Sequence, residues 1–217
     1  MFLAVTYSAD AKPALPRHLV VKSSAPPSRA LHRSTSEIEF YRSVARRLAS
    51  PPLVRCLAED SEDILVLDDL RMTHHALSWP LAPSRAQALR AVDALAQIHA
   101  AWWEAPALGH GVGELHTTES LTNMVHGFAA NVPAFFDALG DAATPAARQI
   151  VERVFASPLR PWLRLTQPRA LTVAHGDAHA GNLFFPRAGD GPAYLIDWQL
   201  WHLDVGVRDL AFFIGLH

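Results

Sequence analysis

Apolar positions along the chain first follow the two-residue rhythm of strands and then settle into helical spacing. Phe2 to Tyr7 and Leu19 to Val21 read as two strands of a hairpin, joined by the proline-bearing stretch Ala11 to Arg17. Beyond the Pro26-Pro27-Ser28 break, Ser36 precedes Glu37, Phe40, Tyr41, Val44 and Leu48 at helical intervals, and Ser50-Pro51-Pro52 ends that helix. Ile64-Leu65-Val66-Leu67 is a short apolar strand, after which strands are expected to give way to helices. Ser84 can cap a long helix whose apolar stripe reads Leu89, Val92, Leu95, Ala96, His99, Trp102 and Trp103. Helical pattern resumes over Leu121 to Phe136 and Ala146 to Phe155, with a loop around Gly109 to Gly113. Three strands follow, Leu171 to Ala174, Leu183 to Phe185 and Tyr194 to Ile196, and the turn chemistry of Arg187 to Pro192 makes the last two a hairpin. An apolar helix begins at Arg208.

Composition narrows the possibilities. With 217 residues, half of them apolar, the chain can bury a sizeable core as one or two compact units. Nineteen basic against 21 acidic residues give a formal charge of −2, without the basic excess that a nucleic-acid partner requires. One cysteine, Cys56, forms no internal disulfide and is read as a small buried apolar residue. No run approaches the roughly 18 apolar residues of a membrane span, and the apolar start is too short for a signal-peptide core. The expectation is a cytoplasmic protein with neither membrane nor obligate protein partner. Only two lysines occur, Lys12 and Lys22, and the first glycine is Gly109.

The chemistry concentrates in His175-Gly176-Asp177, Asn182 and Ile196-Asp197-Trp198-Gln199. If Leu183 to Phe185 pairs with Tyr194 to Ile196, Asn182 and Asp197 lie opposite each other, about 4.5–5.5 Å apart. An amide oxygen and a carboxylate at that separation suit Mg²⁺, which takes oxygen ligands together with water and phosphate. Asp177, five residues before Asn182 on a loop leaving a strand, can bring a second carboxylate there to receive or orient a hydroxyl proton. His175 is expected to bond backbone within its loop, and Asp209 to anchor that loop.

His-Gly-Asp-x-x-x-x-Asn followed by Ile-Asp resembles the catalytic and metal loops of the aminoglycoside phosphotransferases and the choline- and ecdysteroid-kinase-like proteins. The Ile-Asp-Trp-Gln form, with Arg208-Asp209-Leu210-Ala211 downstream, resembles the second branch most. The resemblance implies an α+β, protein-kinase-like two-lobed fold, with a small β-rich lobe over residues 1–70 and a larger, mainly helical lobe over 71–217. It implies ATP and Mg²⁺ as cofactors, Asp177 as the catalytic residue, and Asn182 and Asp197 as metal ligands. That fold also uses a strand-end lysine paired with a helix glutamate. Lys22 ends Leu19-Val20-Val21, whereas Lys12 sits beside Pro13 in a turn, and Glu37 opens the next helix. Glu39 would face about 200° away round the helix. Asp68 to Leu70 then corresponds to the hinge whose backbone groups bind the adenine edge.

A small hydroxyl compound is the acceptor this pattern favours over a peptide. Gly176 stands where protein kinases carry the arginine that couples to a phosphorylated activation loop, and eleven residues separate Asp197 from Asp209. No glycine precedes Lys22, so the small lobe is expected to lack its first strand and phosphate loop, and the large lobe to be truncated. Two other readings remain open: a non-catalytic module of kinase-like fold, and a metallohydrolase using His175, Asp177 and His179.

Overall fold

The computed structural model describes residues 1–8, 10, 15–23, 37–48, 52–58, 64–78, 81–156 and 162–216. Lys12 and Ser36 lie outside them.

Strands β1 (Phe2–Ala4), β2 (His18–Ser23), β3 (Cys56–Ala58) and β4 (Ile64–Asp68) form an antiparallel sheet in the order β1-β2-β4-β3. The expected hairpin is present, with Phe2 opposite Val20, and β4 sets Leu65 opposite Lys22. Between β2 and β3 the chain is helical from Glu37, but it widens into a π-type turn over Phe40–Val44 and tightens to a 3₁₀ turn over Ala45–Arg47. That segment is pinned by its aromatic residue: the Phe40 ring stacks on Trp198, with centroids 3.9 Å apart and planes within 7°. Such a buried pair contributes about 0.5–1.5 kcal/mol beyond the area it removes from water.

Beyond β4 comes a strand the hydrophobic pattern did not announce, β5 (His74–Ala76). Helices α1 (Arg85–Trp102), α2 (Thr118–Leu139) and α3 (Pro145–Ala156) follow. Ser84 caps α1 as expected, its hydroxyl accepting from the Gln87 amide while the Gln87 side chain accepts from the Ser84 amide. The buried face of α1 differs from the expected stripe. Ala91, Ala94, Leu95, Ile98 and Trp102 are buried, whereas Leu89 (57%) and Trp103 (53%) are exposed, with Val92 and Ala96 also on the outer side. The reason is proximity. The helix packs on β6 (Thr172–Ala174) and on α4 (Val207–Gly215), and small alanine side chains let it approach closely where leucine would hold it away.

Two small sheets complete the molecule. β7 (Leu183–Pro186) lies between β5 and β8 (Tyr194–Leu195), and β6 pairs with β9 (His202–Asp204), another short strand that the sequence pattern did not mark. Leu195 donates its amide to the Pro52 carbonyl at 2.9 Å and bridges to Leu53, which ties the β7–β8 hairpin to the part of the chain leading into β3. Trp102 and Trp198 are fully buried, while Cys56 is only half-buried beside the core. Among the described residues no helix is long and apolar enough to cross a membrane.

Candidate active site

The loop leaving β6 is held from behind by one buried carboxylate. Asp209, in the first turn of α4, accepts from the His175 amide at 2.7 Å, from the Gly176 amide at 2.9 Å and from His99 Nε2 at 3.0 Å. Burial alone would raise its pKa, but the bonds from His99, His175 and Gly176 outweigh it and hold the carboxyl below the ordinary carboxylate range. The expected anchor is therefore present, with a third partner, His99, that had been placed on an apolar stripe. Gly176 must be glycine: its φ is +81°, and a Cβ would fall 2.2 Å from the Leu200 carbonyl oxygen.

His175 bonds backbone, as expected. Its Nε2 donates to the Ile196 carbonyl at 2.9 Å, and its Nδ1 accepts from the Asp177 amide at 3.3 Å. Burial lowers its pKa, keeping the ring neutral, which is the form this pair of bonds requires. One ring thus links the Asp177 loop to Ile196, the residue between β8 and Asp197.

Asn182 turns its amide group toward Asp177, donating to the backbone carbonyl at 2.9 Å and to Oδ2 at 3.1 Å. Its expected position directly opposite Asp197 is corrected by one residue. The β7–β8 register sets Leu183 against Leu195, and the Ile196 amide donates to the Asn182 carbonyl at 3.0 Å, so Ile196 is the residue across from Asn182. Asp197 follows in a left-handed conformation, φ 66° and ψ 62°, which swings it out of the strand and into the turn Trp198–Leu200. Aspartate visits this region more easily than most residues, yet the conformation is sparse enough to mark a constrained site.

Lys22 sits between two carboxylates. Its Nζ is 2.8 and 2.9 Å from the oxygens of buried Glu37 and 3.7 Å from Asp197 Oδ1. Glu37 Oε1 also accepts from the Trp198 amide at 3.4 Å, so the pair and the Asp197 turn are joined through backbone as well as charge. Glu39 points to solvent. Lys22 and Glu37 line a cleft of about 510 Å³ together with Val21, Ile38, Leu65 and Gln199.

Asp68 and Leu70, expected at the adenine edge, make these contacts within the chain. The Asp68 amide donates to the Arg55 carbonyl at 3.1 Å, and its carboxylate is held by the Arg55 guanidinium at 2.8 and 3.1 Å. The Leu70 carbonyl accepts from the Thr73 and His74 amides, closing a turn. Neither residue is a wall of the cleft. An adenine-edge role for them therefore rests on the Asp68 carbonyl and the Leu70 amide.

The donor set fits Mg²⁺. Asp197 Oδ1 is buried without a hydrogen-bond partner, the kind of orphaned carboxylate oxygen a hard cation satisfies. Because the Asn182 nitrogen faces Asp177, its amide oxygen is the atom left for a second ligand. The metallohydrolase triad, by contrast, does not assemble. His175 spends both ring nitrogens on backbone, His179 Nδ1 accepts from the Gly181 amide at 3.0 Å, and among the described residues no three His, Cys, Asp or Glu side chains converge as a metal site.

A family model described as the APH phosphotransferase enzyme family matches residues 9–215. By sequence, no curated protein matches. Among solved structures, the chain is similar to the apoenzyme of a macrolide 2′-phosphotransferase from Brachybacterium faecium, with a TM-score of 0.56 and 18% identity over 90% of this chain and 62% of that one. It is also similar to a choline/ethanolamine kinase family protein from Mesorhizobium loti, with a TM-score of 0.50 and 15% identity over 90% of this chain and 57% of that one. At these identities the likeness bears on the fold, a mixed α+β kinase-like architecture, and the chain spans about three fifths of the length of each structure.

Proposed function

The chain belongs to the APH phosphotransferase enzyme family, and on that footing we propose that it moves the γ-phosphoryl group of ATP onto a hydroxyl of a small molecule. The observation that carries this reading is the placement of Lys22 Nζ between Glu37 and the otherwise unpartnered Asp197 Oδ1. A structural ion pair needs only Glu37. A second carboxylate whose inner oxygen is buried without a hydrogen bond while its side chain stays partly open to solvent makes sense where phosphate and a divalent cation are to arrive.

Phosphoryl transfer asks the protein mainly for position and charge. In this reading residues 1–70 cover the nucleotide and residues 71–217 carry the reacting groups. Lys22, braced by Glu37, binds the α- and β-phosphates. Asn182 and Asp197 would hold Mg²⁺, which when bound would supply positive charge against the phosphate oxygens. Asp177 orients the acceptor hydroxyl and takes its proton as oxygen bonds to the γ-phosphorus and the bond from that phosphorus to ADP breaks. Asp209 and His175 keep the loop in register while this happens. Backbone groups of Asp68 to Leu70 would bind the adenine edge.

A small acceptor is favoured by the backbone at Gly176. The close approach of the Leu200 carbonyl fills the space in which a side chain at 176 would reach toward an activation segment. The test is transfer of γ-labelled phosphate, with Mg²⁺, to a panel of amino alcohols, aminoglycosides and macrolides. Label should pass to one class and fall at least about 100-fold in Asp177→Asn, the lower range for loss of a proton-accepting group. Absence of ATP turnover with every acceptor, water included, would contradict the proposal, as would transfer that survives Asp177→Asn.

A further inference from the structure

We propose that His179 is a positioning residue for Asp177, its Nε2–H steadying the same carboxylate oxygen, Oδ2, that the Asn182 amide bonds; this rests on the role given to Asp177 above. His179 lies in an extended conformation, φ −97° and ψ 163°, with its amide donating to the Asp177 carbonyl at 2.8 Å. Its ring folds back over the next turn, where Nδ1 accepts from the Gly181 amide at 3.0 Å. That bond fixes the tautomer. A neutral ring whose Nδ1 accepts must carry its proton on Nε2, and Nε2 lies 3.7 Å from Asp177 Oδ2. The same oxygen receives Asn182 Nδ2 at 3.1 Å.

The ring's place is built in. A Cβ on residue 181 would fall 2.8 Å from His179 Cε1 and 2.9 Å from Nδ1, so glycine there is what admits the imidazole. Both side chains are about one-third exposed, at 32% for His179 and 33% for Asp177, so the pair stands at the solvent-facing edge, open to a hydroxyl acceptor. At 3.7 Å the contact is just beyond hydrogen-bond length, as befits a group that tightens when a substrate excludes water. Asn182 already bonds Oδ2, and once the His179 contact closes to hydrogen-bond length a second donor fixes the carboxylate so that one orientation is presented to the acceptor.

Two substitutions separate this role from simple capping of the turn. In His179→Asn the side-chain oxygen still reaches the Gly181 amide, but nothing reaches Asp177. In His179→Ala both contacts go. Using Mg²⁺-dependent ATP hydrolysis, with water as acceptor, His179→Asn should keep its melting temperature and KM for ATP while kcat falls about tenfold, the scale expected when a reacting group loses its alignment. His179→Ala should lose kcat and thermal stability together. Turnover of His179→Asn equal to that of the unaltered chain would overturn the proposal, for the residue would then be a cap alone.

A second readout does not depend on turnover. In ¹⁵N-histidine spectra at pH 8, the resonance missing from His179→Asn should show the Nε2–H tautomer and should shift in Asp177→Asn. An Nδ1–H tautomer, or no response to Asp177→Asn, refutes the contact. If the unaltered chain hydrolyses no ATP while this signature stands, the phosphotransferase reading fails and the His179–Asp177 contact survives it.

Discussion

Replacing Asp209 with alanine tests how much of the site depends on one buried side chain. The carboxylate is 1% exposed, and its loss strands three donors: the His175 and Gly176 amides and His99 Nε2. Each unsatisfied buried group costs about 1–3 kcal/mol. Water entering the space offsets part of this, so the total falls near 3–5 kcal/mol, the scale for breaking a buried charged pair. At roughly 2–4 °C per kcal/mol for a chain of this size, Asp209→Ala should melt about 10 °C lower. Asp209→Asn, which keeps one oxygen, should lie between the two. Acid titration supplies a second check. Because the folded carboxyl is held below its ordinary pKa, its stabilisation is complete above the unfolded value of about 3.9 and is lost as pH falls through the lower folded value. That acid-side loss should be weaker in Asp209→Asn. A fall in melting temperature under about 2 °C for Asp209→Ala would refute the anchoring argument, since it would mean less than about 1 kcal/mol was at stake.

Gly176→Ala should be folded poorly or not at all and should lose nucleotide-dependent stabilisation, because the left-handed backbone and the 2.2 Å approach to the Leu200 oxygen leave no room for a methyl group; urea unfolding reads the loss, about 1–3 kcal/mol or more. His175→Gln should flatten the pH dependence of stability. The buried neutral ring has a lowered pKa, so its stabilisation is full above the unfolded value of about 6.5 and fades as pH drops toward the folded value, visible in melts between about pH 7 and pH 5. Glu37→Gln should weaken ATP binding by about tenfold with little change in the fold of β2, because Lys22 is then left to pair with Asp197 alone, as calorimetric titration would show.

Much of this site is legible in the sequence because its groups are adjacent along the chain or fixed by the register of a hairpin. Asp177, Asn182 and Asp197 are joined by short connections, and strand pairing predicts the neighbourhood of the last two to within one residue, whereas Lys22 and Glu37, the latter 161 residues from Trp198 in the Asp197 turn, were legible only through the family resemblance. The error at Asn182 and Asp197 has a physical source: the hairpin sets Leu183 opposite Leu195 where in-line pairing of the two apolar runs would set it opposite Ile196, and with a connection longer than two residues the hydrophobic pattern alone does not fix the register. His99 was misplaced because helical spacing records which face a residue shares, not whether a distant carboxylate waits there; Asp209 is 110 residues away. Strands β3, β5 and β9 are each three residues long and carry at most one large apolar side chain, so they exist by virtue of partners in β4, β7 and β6 and not by local propensity. The stripe on α1 failed for a related reason: helical spacing alone does not tell buried Ala91 and Ala94 from exposed Ala96.

The most direct test of the account is a thermal-shift titration of the chain with Mg²⁺·ATP, Mg²⁺ alone and ATP alone, beside Asp197→Ala. At a hundredfold excess over the dissociation constant, binding to the folded state contributes about 2.7 kcal/mol, or roughly 5–10 °C for a chain of this length. The account predicts that shift with Mg²⁺·ATP, a smaller one with ATP alone, and loss of the metal-dependent part in Asp197→Ala. An equal shift in both proteins, or none in either, would contradict the placing of the nucleotide and its metal between Lys22, Asn182 and Asp197.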